Sequence, residues 1–260
     1  MAQLTATKPL PRAPAPTLEQ RLAVRARPVD RQPTMYQSWE QLLFLHWAVD
    51  PGLITATLPE GLTVDTFDGA AYLAIIPFYM RRIRPRGLPA LPVLSNFLEI
   101  NVRTYVYDRE GVPGVWFYGL DTHRLPAVLI ARLFFHLPYY WAKMSARRTS
   151  DGTIDFRARR RAAAGPFAGR YAYRPVGDPA PASPGTLPFF LAERYMFFTM
   201  TRRGLARGHV HHTPYPLQAV ETPTWSSVQL GLAGFSVPES PPDHTLYSAG
   251  VDVDTFALQR

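Results

Sequence analysis

The sequence predicts a mainly β protein, an antiparallel β-barrel decorated by two or three helices. Three observations carry that expectation. Residues 96–121 read as two strands joined by the turn Asp108-Arg-Glu-Gly-Val-Pro113. The first strand alternates, with Leu98, Ile100, Val102, Thr104 and Val106 on one side and Glu99, Asn101, Arg103 and Tyr105 on the other. Residues 62–80 form a hairpin pattern around Asp68-Gly69. Elsewhere, short apolar runs rich in β-branched and aromatic residues are separated by Gly, Pro and Asp. A strand face that mixes a carboxylate, an amide and a guanidinium with aromatic rings suits the wall of a polar, aromatic-lined cavity better than bulk water.

A chain of 260 residues suits one large domain or two small ones. With 47% hydrophobic and 13% aromatic residues it can bury a sizeable core. There is no cysteine, which excludes disulfides, thiolate nucleophiles and Cys-ligated metals. No secretory signal is visible, and no apolar run approaches the roughly 20 residues of a membrane span. The expectation is a cytoplasmic protein with no membrane partner. The net charge is +8, yet only two of the 28 basic residues are lysines, Lys8 and Lys143. The arginines fall in separate runs without a nucleic-acid-binding motif, so solvated loops and strand ends explain them and no specific nucleic-acid partner is expected.

In chain order, residues 1–33 read as a disordered Pro/Arg-rich tail, with one short helix from Leu18 to Arg25 capped by Thr17-Leu-Glu-Gln20. Residues 34–260 are expected to form a single barrel domain. Residues 41–49 read as a strand, and Asp50-Pro51 opens a short helix to Leu58. Residues 81–95 read as a proline-rich basic loop. Leu125 to Phe135 suits a helix, and Tyr139 to Met144 an extended segment. Residues 145–175 suit two arginine-bearing strands, with turns at Asp151-Gly152 and Gly165-Pro166. Gly177 to Pro188 reads as a loop and Phe189 to Met200 as a helix. Gly204 to Val220 and Asp243 to Phe256 return to strands.

Chemical motifs are few. Gly208-His-Val-His-His212 invites a metal reading because His209 and His211 share a strand face. No third ligand follows at a suitable spacing, so neither a metal site nor a cofactor is expected. Nucleophile-elbow, P-loop and dinucleotide-binding signatures are missing.

The blocks QSWEQLLFLHWAVDP, LPEGLTVDTFDGAAYLAIIPF, FLEINVRTYV, GVWFYGLD, ARLFFHLPYYWAKM, LAERYMFF, HTPYPL and LYSAGVDV resemble successive blocks of the DUF2071 (YqjF-like) family. That family is similar in fold to acetoacetate decarboxylase, which implies a barrel enclosing a small-molecule pocket. The decarboxylase carries its imine-forming lysine in a Gly-aromatic-Pro-Lys-Lys segment. The similar segment here is His136-Leu-Pro-Tyr139-Tyr140, with tyrosines in place of both lysines, while Glu99 resembles the pocket glutamate. Imine chemistry cannot use a phenol. Lys143 is the one amine of the expected barrel and is kept as a catalytic candidate on that ground.

The expected site therefore comprises Glu99 as general acid or base, Tyr139 as hydrogen-bond donor to a developing oxyanion, and Lys143. Arg103 would bind a carboxylate, with Asn101, Tyr105, Trp116 and Tyr140 also touching the ligand. The partner is a small carboxylate- or carbonyl-containing molecule, met by lyase-type acid/base chemistry without a Schiff base. The alternatives are a non-catalytic binding barrel, a structural Glu99–Arg103 ion pair, or a His-based metalloenzyme. Self-association into a homo-oligomer stays open.

Overall fold

A computed structural model describes residues 14–91, 94–161 and 168–259. The first half of the chain forms α1 (Leu18–Ala23), β1 (Met35–Val49), α2 (Pro51–Thr55), β2 (Leu62–Val64), β3 (Ala71–Pro85), β4 (Phe97–Asp108) and β5 (Pro113–Thr122). Next come α3 (Leu125–Phe134), β6 (Tyr139–Arg148), β7 (Ile154–Arg160), β8 (Ala168–Ala180) and α4 (Leu187–Ala192). The last elements are β9 (Met196–Thr201), β10 (Gly204–His211), β11 (Leu217–Thr224), α5 (Val228–Leu232) and β12 (His244–Thr255). The class is mainly β, and the helices among the described residues are short.

The centre of the fold is an antiparallel wall in the order β12-β1-β3-β4-β5. Both edges of this wall fork. On one edge β5 runs parallel to β9 at Val115 and Trp116, and parallel to β6 at Leu120 to Thr122. On the other, β12 pairs with β10 at Asp254 and Thr255 and with β11 at Tyr247 and Ser248. Strands β9 and β10 thus close a ring over one face of the wall, and β6, β7, β8 and β11 close a second over the other. Two large apolar clusters follow among the described residues. One holds Phe44, Ile76, Phe78 and Phe197, and the other Leu45, Ile75, Ile100 and Phe156. Every residue of β4 is buried, because it is covered on both faces.

Local chemistry explains the strand ends. Asp68 and Gly69 both take positive φ, 49° and 83°, the geometry that a two-residue hairpin demands. Gln41 bulges out of β1 at φ 55°. Opposite it, Gly250 sits at φ 140°, where a Cβ would lie 2.3 Å from the Trp39 carbonyl oxygen. Only glycine fits that approach.

Several sequence expectations are corrected. Strand β1 begins at Met35, ahead of residue 41, and β3 runs on to Pro85, into the expected loop. Strand β8 likewise extends to Ala180, beyond the expected loop start. Phe189 to Met200 is not one helix: α4 ends at Ala192, and Met196–Thr201 is a strand paired to β10 and β5. The run FFLAERYMFFTM satisfies both templates, and tertiary pairing decides between them. The Asp151-Gly152 turn forms, with Gly152 at φ 85°; the one at Gly165-Pro166 lies outside the described residues.

Of the expected tail, residues 1–13 also lie outside the described residues, whereas residues 14–33 lie against the rings. Thr17 and Gln20 complete a capping box on α1. From this segment Arg21 makes a two-pronged ion pair with buried Asp65, 2.7 Å on each prong. Further along, Arg25 and Arg31 stack on Phe189 and Phe256. No helix among the described residues is long and apolar enough to cross a membrane.

Candidate functional site

A cavity of about 110 Å³ lies inside the ring closed by β9 and β10. Larger depressions exist, such as one of about 400 Å³ between Arg109 and Arg207, but they are grooves on the outside of the rings. The inner cavity is mostly apolar, with Phe44, Phe78, Val115, Phe117 and Phe197 in its wall. Strand phase delivers its polar groups: Glu99, Asn101 and Arg103 project from the same face of β4.

Glu99 is 2% exposed. Tyr139, at the start of β6, donates a hydrogen bond to Glu99 Oε2 at 2.9 Å. Burial pushes the Glu99 carboxyl up to about 8, opposed by the Tyr139 hydrogen bond and assisted by the nearby Asp121 charge. At neutral pH Glu99 is therefore a neutral acid with a proton to give. Burial, together with the Glu99 contact, pushes the Tyr139 phenol well above its ordinary range.

Arg103 sits two inward positions along β4, its Cα ~13 Å from that of Glu99 at about 3.3 Å per residue. It is 7% exposed and donates from Nη2 to the Leu191 carbonyl oxygen at 3.0 Å. Its Nε is buried without a partner among the described residues, and so is Asn101 Oδ1. Two buried carboxylates near α4 are already engaged: its cap residue Glu193 accepts from the Tyr195 hydroxyl and the Tyr215 backbone N–H, and Asp65 is held by Arg194 at 2.8 Å and Arg21 at 2.7 Å. No ion pair among the described residues includes Arg103, so the expected alternative of a Glu99–Arg103 pair is not what the structure shows. Burial works against ionisation of Asp65, yet the two guanidinium groups hold its carboxyl below the ordinary range.

The remaining candidates separate. Tyr105 is fully buried beneath Arg103, whose guanidinium lies 5.5 Å from its ring centroid. The Tyr105 hydroxyl donates to the Leu191 carbonyl oxygen and accepts from His46 Nε2, each at 2.9 Å, so it supports Arg103 without lining the cavity. Trp116 lies on the opposite face of β5, beside Tyr118 and Pro138 in an outer depression. The cause is a bulge: the register slips between Val102 and Arg103, so Phe117 and Leu120 both face inward. Tyr140 also points away, stacking 3.8 Å from the Arg160 guanidinium, which pairs with Asp121 at 2.8 Å. Lys143 is exposed on β6, outside the ring. Along the strand from Tyr139 it is carried away from the cavity, so the structure does not bring this amine to Glu99.

Sequence reasoning missed Arg194 and Tyr215, which complete the cavity near Arg103. Arg194 was hidden by the helical reading of its segment; it donates from Nε to the Phe190 carbonyl oxygen at 2.7 Å, just beyond α4. The three neighbouring histidines diverge. His209 packs on Phe256, His211 Nδ1 contacts the Arg25 carbonyl oxygen, and His212 stacks on Tyr195. Burial lowers His209 and His212 to about 4. Among the described residues no cluster of three or more His, Asp or Glu side chains is placed to hold a metal ion.

The chain has relatives in sequence and in fold. Uncharacterized protein YqjF of Bacillus subtilis (strain 168) is 38% identical over 208 residues, 80% of this chain and 85% of the relative. The enduracididine biosynthesis enzyme MppR, solved with the condensation product of pyruvate and imidazole 4-carboxaldehyde, superposes with a TM-score of 0.61 at 12% identity, covering 88% of this chain and 89% of that one. Acetoacetate decarboxylase from Legionella pneumophila superposes at 0.58 with 10% identity, covering 90% and 91%. At these identities the two structures establish a shared acetoacetate decarboxylase-like fold. The profile of DUF2071, an uncharacterized conserved protein, matches residues 36–252, and the chain belongs to that family.

Proposed function

We infer that the inner cavity binds a small carboxylate- or carbonyl-containing molecule and presents it to an acid/base pair. The observation that carries this reading is Arg103: a buried guanidinium with an unpartnered Nε and no carboxylate counter-charge among the described residues. A buried cation left in that state is costly unless an anion satisfies it, and a carboxylate matches its fork. Asn101 Oδ1, also unpartnered, accepts from a hydroxyl or protonated group of the same ligand. Glu99, neutral at pH 7, donates its proton to a carbonyl or enolate oxygen, and the Tyr139 hydroxyl steadies the carboxylate that results.

Imine chemistry does not enter this reading, because Lys143 lies outside the ring. That MppR was solved with a pyruvate-derived product is a property of that protein; it makes keto acids reasonable first probes here. The test is a panel of small keto and hydroxy acids, scored by thermal shift and by proton NMR for consumption or for solvent deuterium exchange at carbon. Binding that Arg103→Gln abolishes, with exchange or turnover that Glu99→Gln abolishes, supports the enzyme reading. Binding without exchange or turnover makes the protein a non-catalytic binding barrel. Binding unaffected by Arg103→Gln contradicts the site assignment.

A further inference from the structure

The cavity has a direction. One end lies at Arg103, whose β4 position pairs with Ala74 and Phe117 and whose guanidinium reaches the last turn of α4. Glu99, paired with Phe78, lies nearer the other end. There the wall is completed by Phe135 and Leu137, both only half-buried, immediately after α3. Of the ten residues of α3 only Val128 is buried. Leu129, Ile130, Leu133 and Phe134 are between 51% and 69% exposed, and Phe134 adjoins the cavity-lining Phe135. An exposed apolar surface continuous with a ligand cavity is the kind of surface that an apolar ligand extends.

Size and charge point the same way. At about 30 Å³ per water, the 110 Å³ cavity holds on the order of four waters, so an acid with a longer chain fills it and has to extend out of it. A short polar acid would satisfy Arg103 yet gain little from the apolar wall of Phe44, Phe78, Phe117 and Leu137. Glu99 carries no charge at neutral pH, so it does not repel an anion passing it.

We propose that the ligand is an amphipathic monocarboxylic acid that enters carboxylate first. Its head sits at Arg103, its apolar body lies against Phe44, Phe78, Phe117 and Leu137, and its tail emerges along the exposed face of α3. This rests on the carboxylate-binding reading of Arg103 given above and adds the chemistry of the rest of the molecule.

Isothermal titration of the full chain with acetate, butanoate, hexanoate and octanoate, and with octan-1-ol, tests it. Each methylene that leaves water should tighten binding about fourfold until the body of the cavity is filled. Octanoate should bind at least tenfold more tightly than octan-1-ol, and Arg103→Gln should erase that difference. The double change Leu133→Asp, Phe134→Asp, on exposed positions, should weaken octanoate more than butanoate. The wild-type series and the alcohol comparison need no variant, so they stand if a substituted chain fails to fold. Affinity that is flat or falls with chain length, while octanoate still needs Arg103, overturns the amphipathic ligand and leaves the carboxylate reading intact. No binding by any of these acids, or octan-1-ol equal to octanoate in the wild type, overturns the amphipathic ligand; the carboxylate reading falls with it only if the keto and hydroxy acids also fail to bind.

Discussion

The Tyr139 hydroxyl donates to Glu99 Oε2 at 2.9 Å inside a ring of strands, joining a residue of β6 to one of β4 where both are buried. Glu99 is held as a neutral acid by burial, and Tyr139 is the group that moderates the effect.

Glu99 should therefore leave a signature in the pH dependence of stability. Its folded value of about 8 lies above its ordinary 4.5, so between those values the folded chain holds a proton that the unfolded chain has released. Stability contributed by Glu99 is complete below about 4.5, declines as pH rises, and is gone above about 8. Glu99→Gln mimics the neutral acid at every pH. Urea unfolding from pH 5 to pH 9 should show wild type losing stability relative to Glu99→Gln by about 1 kcal/mol per pH unit through that window. Parallel curves for the two proteins would show that Glu99 does not titrate in this range.

Tyr139→Phe removes the donor. Because that hydrogen bond holds the Glu99 value down, its loss should shift the midpoint of the same pH dependence upward. The cost at pH 6 should be about 1 kcal/mol, typical of one neutral hydrogen bond. An unchanged midpoint would mean that the hydroxyl and carboxyl are not coupled in solution.

Asp65 anchors the N-terminal segment to the ring through Arg21 and Arg194. Arg21→Ala leaves Asp65 one buried partner and should cost about 1–3 kcal/mol. The stability that depressed Asp65 contributes is present at neutral pH and lost as pH falls through its folded value, so this variant should unfold at a higher pH during acid titration. Asp65→Ala strands Arg194 in the interior and should cost more, about 3–5 kcal/mol. Limited proteolysis ahead of β1 should accelerate in Arg21→Ala; equal cleavage rates in wild type and variant would detach the segment from this role.

Borohydride reduction with acetoacetate or pyruvate, followed by intact mass measurement, should give no ligand-sized adduct on Lys143. That amine is exposed on β6, away from Glu99. An adduct that disappears in Lys143→Ala would make the lysine catalytic after all.

How much of this was legible follows strand phase. The alternation of β4 is a local property, and it correctly groups Glu99, Asn101 and Arg103 on one wall of the cavity. The face of Trp116 was not legible, because a bulge opposite the Val102–Arg103 step reverses the phase of β5, and no turn residue announces it. Tyr105 shares the phase of Arg103 but lies beneath it, a matter of depth along the strand that alternation does not encode. Arg194 was invisible for a different reason. Its segment fits a helix locally, and only pairing with β10 and β5 makes Met196–Thr201 a strand. The family blocks gave the barrel, while the forked edges of the wall, set by contacts distant in sequence, came only from the structure.

The unpartnered Arg103 Nε should mark the place of a ligand carboxylate. A crystal structure of the chain soaked with a small keto acid such as 2-oxobutanoate tests it most directly. The expected result is a carboxylate oxygen ~2.8 Å from Arg103 Nε, the length of a charge-assisted bond, with the keto oxygen directed toward Glu99. A ligand found only at the outer arginines, or held in the cavity with Arg103 Nε still without a partner, would contradict it.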